Sequence, residues 1–334
     1  MTPSLDTVSV ILVYSAIAVY ALAFIAFTMD LARRAGEVRT VAAASVRASA
    51  PAEAVLNGST ATAVLDREQI EAGDATASRG RLVWLRIGLS LTIIGFVVHL
   101  VATVLRGLAA ERVPWANMYE FSLTATLIIT AVFLGVQFRE DLRFLGTFIV
   151  GLVVVLLGLS TVGFYVSVVP LPPSLQSIWL IIHVFVASLG TAFLGLGFAL
   201  SIMQLLQHRR EALPAESRFG RMKAMASLPG AEKLENLAYR LIIVGFVFWT
   251  FTLIAGAIWA EAAWGRYWGW DVKEVWTFVI WTIFAGYIHA RSTRGWRGVP
   301  SAWLAIVGFS AVLFNYTIVN LFFNGLHSYS GLTE

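Results

Sequence analysis

Long apolar runs separated by short polar stretches set the pattern of this chain. A membrane-spanning helix needs about 20 largely apolar residues. Segments of that length fall at 8–28, 83–105, 118–137, 144–167, 178–206, 238–260, 272–290 and 302–323. The pattern predicts an all-α polytopic membrane protein, a bundle of about eight transmembrane helices. The first span, within residues 1–30, is long enough to cross a bilayer and follows no basic residue, so it reads as a helix and not as a signal peptide. Residues 31–80 are rich in Ala, Ser, Thr, Glu and Arg without apolar periodicity, and read as a disordered cytoplasmic linker. Residues 81–334 then form one membrane domain. No internal repeat of useful period stands out, which argues against an inverted-repeat transporter.

Charge placement orients the spans. One set of loops and helix ends holds 20 of the 24 lysines and arginines, whereas the opposite set holds Arg106, Arg112, Arg266 and Lys273. Because basic loops stay inside, both termini and the loop before the seventh span are expected outside.

Composition sharpens this reading. The chain is 58% hydrophobic and 13% charged, against about 25% charged in soluble domains. The formal charge of +4 follows from the basic inner loops and calls for no nucleic acid. Cysteine is absent, which excludes disulfides, thiol redox chemistry and iron–sulfur ligation by this chain. Any thiol in its reaction comes from a partner.

One polar stretch is unlike the rest. Between Trp264 and Trp276, thirteen residues hold Trp264, Trp268, Trp270, Trp276 and Tyr267. Interfacial tryptophan belts are common, but a belt needs neither this density nor glycines between the rings. A flat, wide apolar ligand reached from the water side needs both. Asp271 and Glu274 stand one turn apart where the next span begins, and negative charge there suits the helix dipole.

Five histidines complete the candidate chemistry. His208 lies on the inner side and reads as a solvated loop residue. Any one of the others can be a hydrogen-bonded bundle residue, so depth separates them. His183 lies about 8 Å below the outer end of its span by helical rise, and His327 lies just past the outer end of the last one. Both are level with the tryptophans, where two imidazoles suit an axially ligated haem in their neutral form. His289 is about 27 Å inward of Asp271 and cannot share their ligand. His99 falls in the outer half of its span, too high for simple pairing with His289.

The pattern Trp-Gly-x-x-Trp-x-Trp-Asp-x-x-Glu from Trp264 to Glu274 resembles the tryptophan-rich WWD signature of haem-handling proteins. With Tyr287-Ile-His-Ala-Arg291, Gly325-Leu-His327 and Pro114-Trp-Ala-Asn-Met-Tyr-Glu120, the chain from about residue 83 is similar to the CcsA (ResC) family of cytochrome c assembly proteins, called CcsB in some organisms. The resemblance implies a System II protein in the cell membrane with its WWD loop, 261–276, outside. Such a protein moves haem b across the membrane and presents it to the Cys-x-x-Cys-His motif of an apocytochrome c. It implies His183 and His327 as the outer iron ligands, and Trp264, Trp268, Trp270, Asp271 and Trp276 around the macrocycle. It implies His289 as one inner ligand, with the second from a ResB-type membrane partner (CcsB in the usual pairing), and a thiol reductant protein as a further partner. His99 falls where relatives also carry a histidine. Haem lyase activity would belong to the complex. Arg112 and Arg266 are the outer cations first expected at the haem propionates. A haem exporter of the CcmC or CcmF type shares the signature, but CcmC is shorter and CcmF much longer. An electron-transfer cytochrome b-like subunit pairs its ligands within one chain, and a transporter without haem is colourless.

Overall fold

The computed structural model describes residues 4–48, 60–214, 223–226, 228–293, 295–323 and 325–327, with the backbone alone for 35–48, 60–82 and 223–224. The described residues are helices and short connections, without a strand. In chain order they are α1 (Leu5–Ala48), α2 (Thr60–Ala110), α3 (Met118–Val136), α4 (Gly146–Gly163), α5 (Ile178–Ala212), the short α6 (Lys223–Ala226), α7 (Ala231–Trp264), α8 (Val272–Thr293) and α9 (Val299–Phe314). After α9 the chain widens into a π-helical turn, Asn315–Val319, and closes with α10 (Asn320–Phe322).

Among the described residues seven helical stretches are long and apolar enough to cross a membrane, so the chain is a multi-pass membrane protein. They match the expected spans except the one at 272–290. That segment is α8, whose 22 residues reach about 33 Å. Its tryptophans and its Lys273–Glu274 pair lower its hydropathy, yet Ile280 and Phe284 are buried in the same core as α9. Helical backbone also covers 31–48 and 60–80, within the stretch expected to be a linker; residues 49–59 lie outside the described residues.

The helices pack as two groups. Tyr20 and Phe27 of α1, Leu85 of α2, Leu123 of α3, and Val150 and Leu157 of α4 share one buried cluster. The other group is built on α5 and α7, joined by α8 and α9 through Leu194, Ile242, Trp249, Phe284 and Phe309. Close approach of α5 and α7 depends on small residues, the usual device between helices in lipid: a Cβ at Gly245 would sit 2.9 Å from Leu194, and one at Gly197 would collide with Ile242.

Buried charges are paired at both ends. At the end where α2 meets α3, Arg106, fully buried, bonds Asp6 of α1 at 2.6 Å and Glu120 of α3 at 3.0 Å. Arg112 closes on the other oxygen of Glu120 at 2.6 Å, and Tyr165 donates to Asp6 at 2.8 Å. Three helices and the loop after α4 are thereby fixed together. At the opposite end Glu235 of α7 takes Arg291 of α8 at 3.1 Å and the backbone N–H of Gly298 at 2.9 Å. Removing one partner of a buried pair strands the other charge. Glu120→Ala, which leaves Arg112 unpaired and Arg106 with Asp6 alone, is expected to cost about 3–5 kcal/mol in thermal unfolding of the detergent-solubilised protein. A melting temperature unchanged from wild type would contradict that clamp.

Candidate functional site

Between the two helix groups lies a cavity of about 600 Å³, within the usual range for small-molecule and cofactor pockets. Its walls come from α3, α4, α5, α7, α8 and α9, and are mostly apolar: Phe121, Leu156, Ala187, Trp249 and Phe309 are among them. On the α4 side the wall is thin, since Leu152 and Leu159 line the cavity while 37% and 62% exposed. At the end nearest the Trp264–Asp271 loop the wall includes His183, His327, Trp259, Trp268, Lys273 and Glu274.

His183 sits on α5, its ring packed into the gap at Gly256 of α7, where an added Cβ would lie 2.7 Å from the imidazole. Its Nδ1 meets the backbone carbonyl of Thr252 at 3.0 Å. A carbonyl only accepts, so Nδ1 carries the proton and Nε2 keeps its lone pair. His327 follows α10 and has its Nδ1 2.7 Å from Asp271 Oδ2, again an acceptor. Both rings therefore offer Nε2, and both are aimed by a hydrogen bond through the far nitrogen, as metal-binding histidines are.

Trp259 links them. It is buried on α7, stacks on His183 at 5.7 Å between centroids, and meets His327 edge-on at 5.3 Å. Its indole N–H donates to Ser174 O at 3.0 Å. Trp264 flanks His327 at 4.8 Å.

The loop from Trp264 to Asp271 is held by one carboxylate. Glu274 Oε2 accepts from the N–H of Gly269 at 2.8 Å and of Asp271 at 3.0 Å, while Oε1 takes Arg266 at 3.3 Å. With the Asp271 side chain accepting from Lys273 N at 3.3 Å, the pair makes a reciprocal cap on α8. The two gripped peptides flank Trp270, a non-glycine residue at φ 59°. Such a conformation persists when its surroundings over-determine it.

The predicted residues thus separate. His183, His327 and Trp268 line the cavity. Asp271 and Trp264 act on His327. Trp270 is 75% exposed, beside Trp268 at 5.9 Å. Trp276 packs on Phe314 at 4.5 Å, in the core. His289 is exposed near the opposite end of α8. His99 is fully buried between Tyr20 and the Leu123 carbonyl, its Nε2 3.0 Å from that oxygen, and is not in the cavity wall. Arg112 and Arg266, expected at the ligand's carboxylates, are instead engaged by Glu120 and Glu274. Sequence reasoning missed Trp259, which reads as one more apolar residue of its span, and Lys273, which was counted only for topology.

A polytopic bundle with two imidazoles lining one mostly apolar cavity of cofactor size defines a membrane protein with an internal binding pocket. The family model described as Cytochrome C assembly protein matches residues 115–327, the stretch that builds this site. The cytochrome c biogenesis protein CcsA of Guillardia theta is 34% identical over 261 residues, covering 74% of this chain and 86% of that protein. CcsA of Synechococcus sp. (strain CC9902) is 40% identical over 179 residues, covering 49% and 59%. Among solved structures, cytochrome c haem lyase CcmF superposes with a TM-score of 0.60 at 16% identity, covering 95% of this chain. The chain spans 47% of that CcmF chain, and the likeness is one of fold. The chain belongs to the cytochrome c assembly protein family.

Hydrogen bonding from His327 pulls the Asp271 carboxyl down to about 2, helped by the Leu326 N–H. Since an unfolded aspartate titrates near about 4, the contact contributes at neutral pH and is lost as acid passes through that interval. The near-ultraviolet circular dichroism of the tryptophan loop is expected to decay between about pH 4 and pH 2. Asp271→Asn should flatten that step and weaken the signal at neutral pH.

Proposed function

We propose that this chain receives haem b, holds it at the outer end of its cavity between His183 and His327, and presents it for covalent attachment to apocytochrome c. The observation that carries the reading is that both imidazoles line one cavity with Nδ1 committed to an acceptor and Nε2 left for iron. Haem here is substrate, and its iron and vinyl groups supply the chemistry. Each cysteine thiol of the apocytochrome adds across a vinyl double bond, sulfur to one carbon and proton to the other, so the step needs no external oxidant. The chain has no cysteine to compete for those vinyls.

Its own residues position. The apolar walls exclude water, Trp259 and Trp268 offer ring surface, and the two histidines fix the plane in which the vinyl edge lies; such placement removes much of the entropic barrier. Asp271 and Glu274 act through His327 and the loop. In this reading the tryptophan loop and both termini face outward, as the uneven distribution of basic residues favours. His289, exposed at the inner end, takes its second imidazole from a ResB-type partner, and a thiol reductant protein keeps the apocytochrome cysteines reduced. His99 we read as a packing residue of α1–α3.

His183→Ala and His327→Ala are each expected to abolish holocytochrome formation in cells and to remove the low-spin bis-imidazole Soret band of the purified protein, with added imidazole restoring part of both. Normal maturation in both variants would overturn the outer pair.

A further inference from the structure

The outer side of the chain carries four cations, and their partners differ. Arg106 and Arg112 are neutralised by Asp6 and Glu120, and Arg266 by Glu274. Lys273 is not matched this way. Its ammonium donates to the neutral amide of Asn320, and among the described residues it makes no ion pair. The neighbouring carboxylate, Asp271, is already shared among the His327 ring, the Leu326 N–H and the backbone N–H of Lys273 itself.

Lys273 lines the same cavity as both histidines, and that cavity is largely apolar. An ammonium facing such surroundings is costly unless an anion answers it. An ammonium answered only by a neutral amide, beside two iron-seeking imidazoles, fits a ligand that brings its own carboxylates. Haem has two, on one edge of the ring.

Building on the haem reading, we propose that Lys273 is the carboxylate-binding cation of the outer site. Charge-assisted bonds of this kind are the strong ones, and they would break the near-symmetry of the macrocycle. Histidines alone fix the iron and leave the ring free to turn about the axis through both Nε2 atoms. A cation at one side of the cavity selects one rotation, and so decides which edge is offered to the thiols. Lys273 would be a specificity-determining residue, with the arginines left to hold the fold.

The test uses the purified full-length protein in detergent and four ligands: haem, haem dimethyl ester, metal-free protoporphyrin IX and its dimethyl ester. Binding is followed by the Soret band for the iron forms and by quenching of tryptophan fluorescence for the metal-free ones. Wild type is expected to prefer each diacid over its diester on the order of tenfold. Lys273→Met should erase that preference while leaving diester affinity within about twofold, which also reports that the cavity is intact. Lys273→Arg should retain it. A preference that survives Lys273→Met, or an equal loss for diacid and diester, overturns the assignment. If the metal-free pair shows the Lys273-dependent preference but haem gives no imidazole-ligated spectrum, the histidine reading falls and the lysine stands. If neither porphyrin binds wild type, both fall.

Discussion

The site depends on the carboxylate of Asp271. One oxygen takes the ring of His327 at 2.7 Å and the other the backbone N–H of Leu326 at 2.9 Å, so the end of the described chain is tied to the start of α8. The same side chain caps that helix. Helix cap, loop anchor and histidine orientation are one electrostatic object, and its neighbour Glu274 holds the preceding loop in the same way. Gly325 belongs to this arrangement, because any Cβ there would collide with Asp271 Oδ1. A low-dielectric setting raises the worth of each such bond and the cost of losing it.

Charge is handled differently at each level of the bundle. At one rim Glu120 gathers two arginines, and at the other Glu235 gathers Arg291, a backbone N–H and the hydroxyl of Ser301. These clusters close on themselves and read as structure. Around the cavity, among the described residues, the bonding is left open: two imidazole Nε2 atoms and an ammonium that meets only an amide. Polar groups that are expensive to bury and yet incompletely paired are where a membrane protein does its work.

Much of this was legible in the sequence. Apolar run length gave the spans, and depth along each helix placed His183 and His327 together while setting His289 apart. Those inferences rest on helical rise, which tertiary packing does not alter. What the sequence hid was lateral: which side of a helix faces which neighbour. Trp259 was invisible because tryptophan in a span is ordinary, and only the packing of α5 on α7 puts it between two histidines. Arg112 and Arg266 were misassigned because loop position says that a cation is outside, not which carboxylate has already claimed it. Trp276 was grouped with the platform because it is near in sequence, yet one turn into α8 it points at Phe314.

The π-helical turn Asn315–Val319 carries a consequence of its own. A π turn holds one residue more than an α turn, so everything after it is rotated by about 100° from where an unbroken helix would carry it. Asn320, which accepts from Lys273, and His327, which reaches Asp271, both lie beyond that turn. The extra residue therefore works as a register shift: the chain aims Asn320 at Lys273 by length as well as by chemistry, and a single deletion there would leave Asn320 present and turn it away.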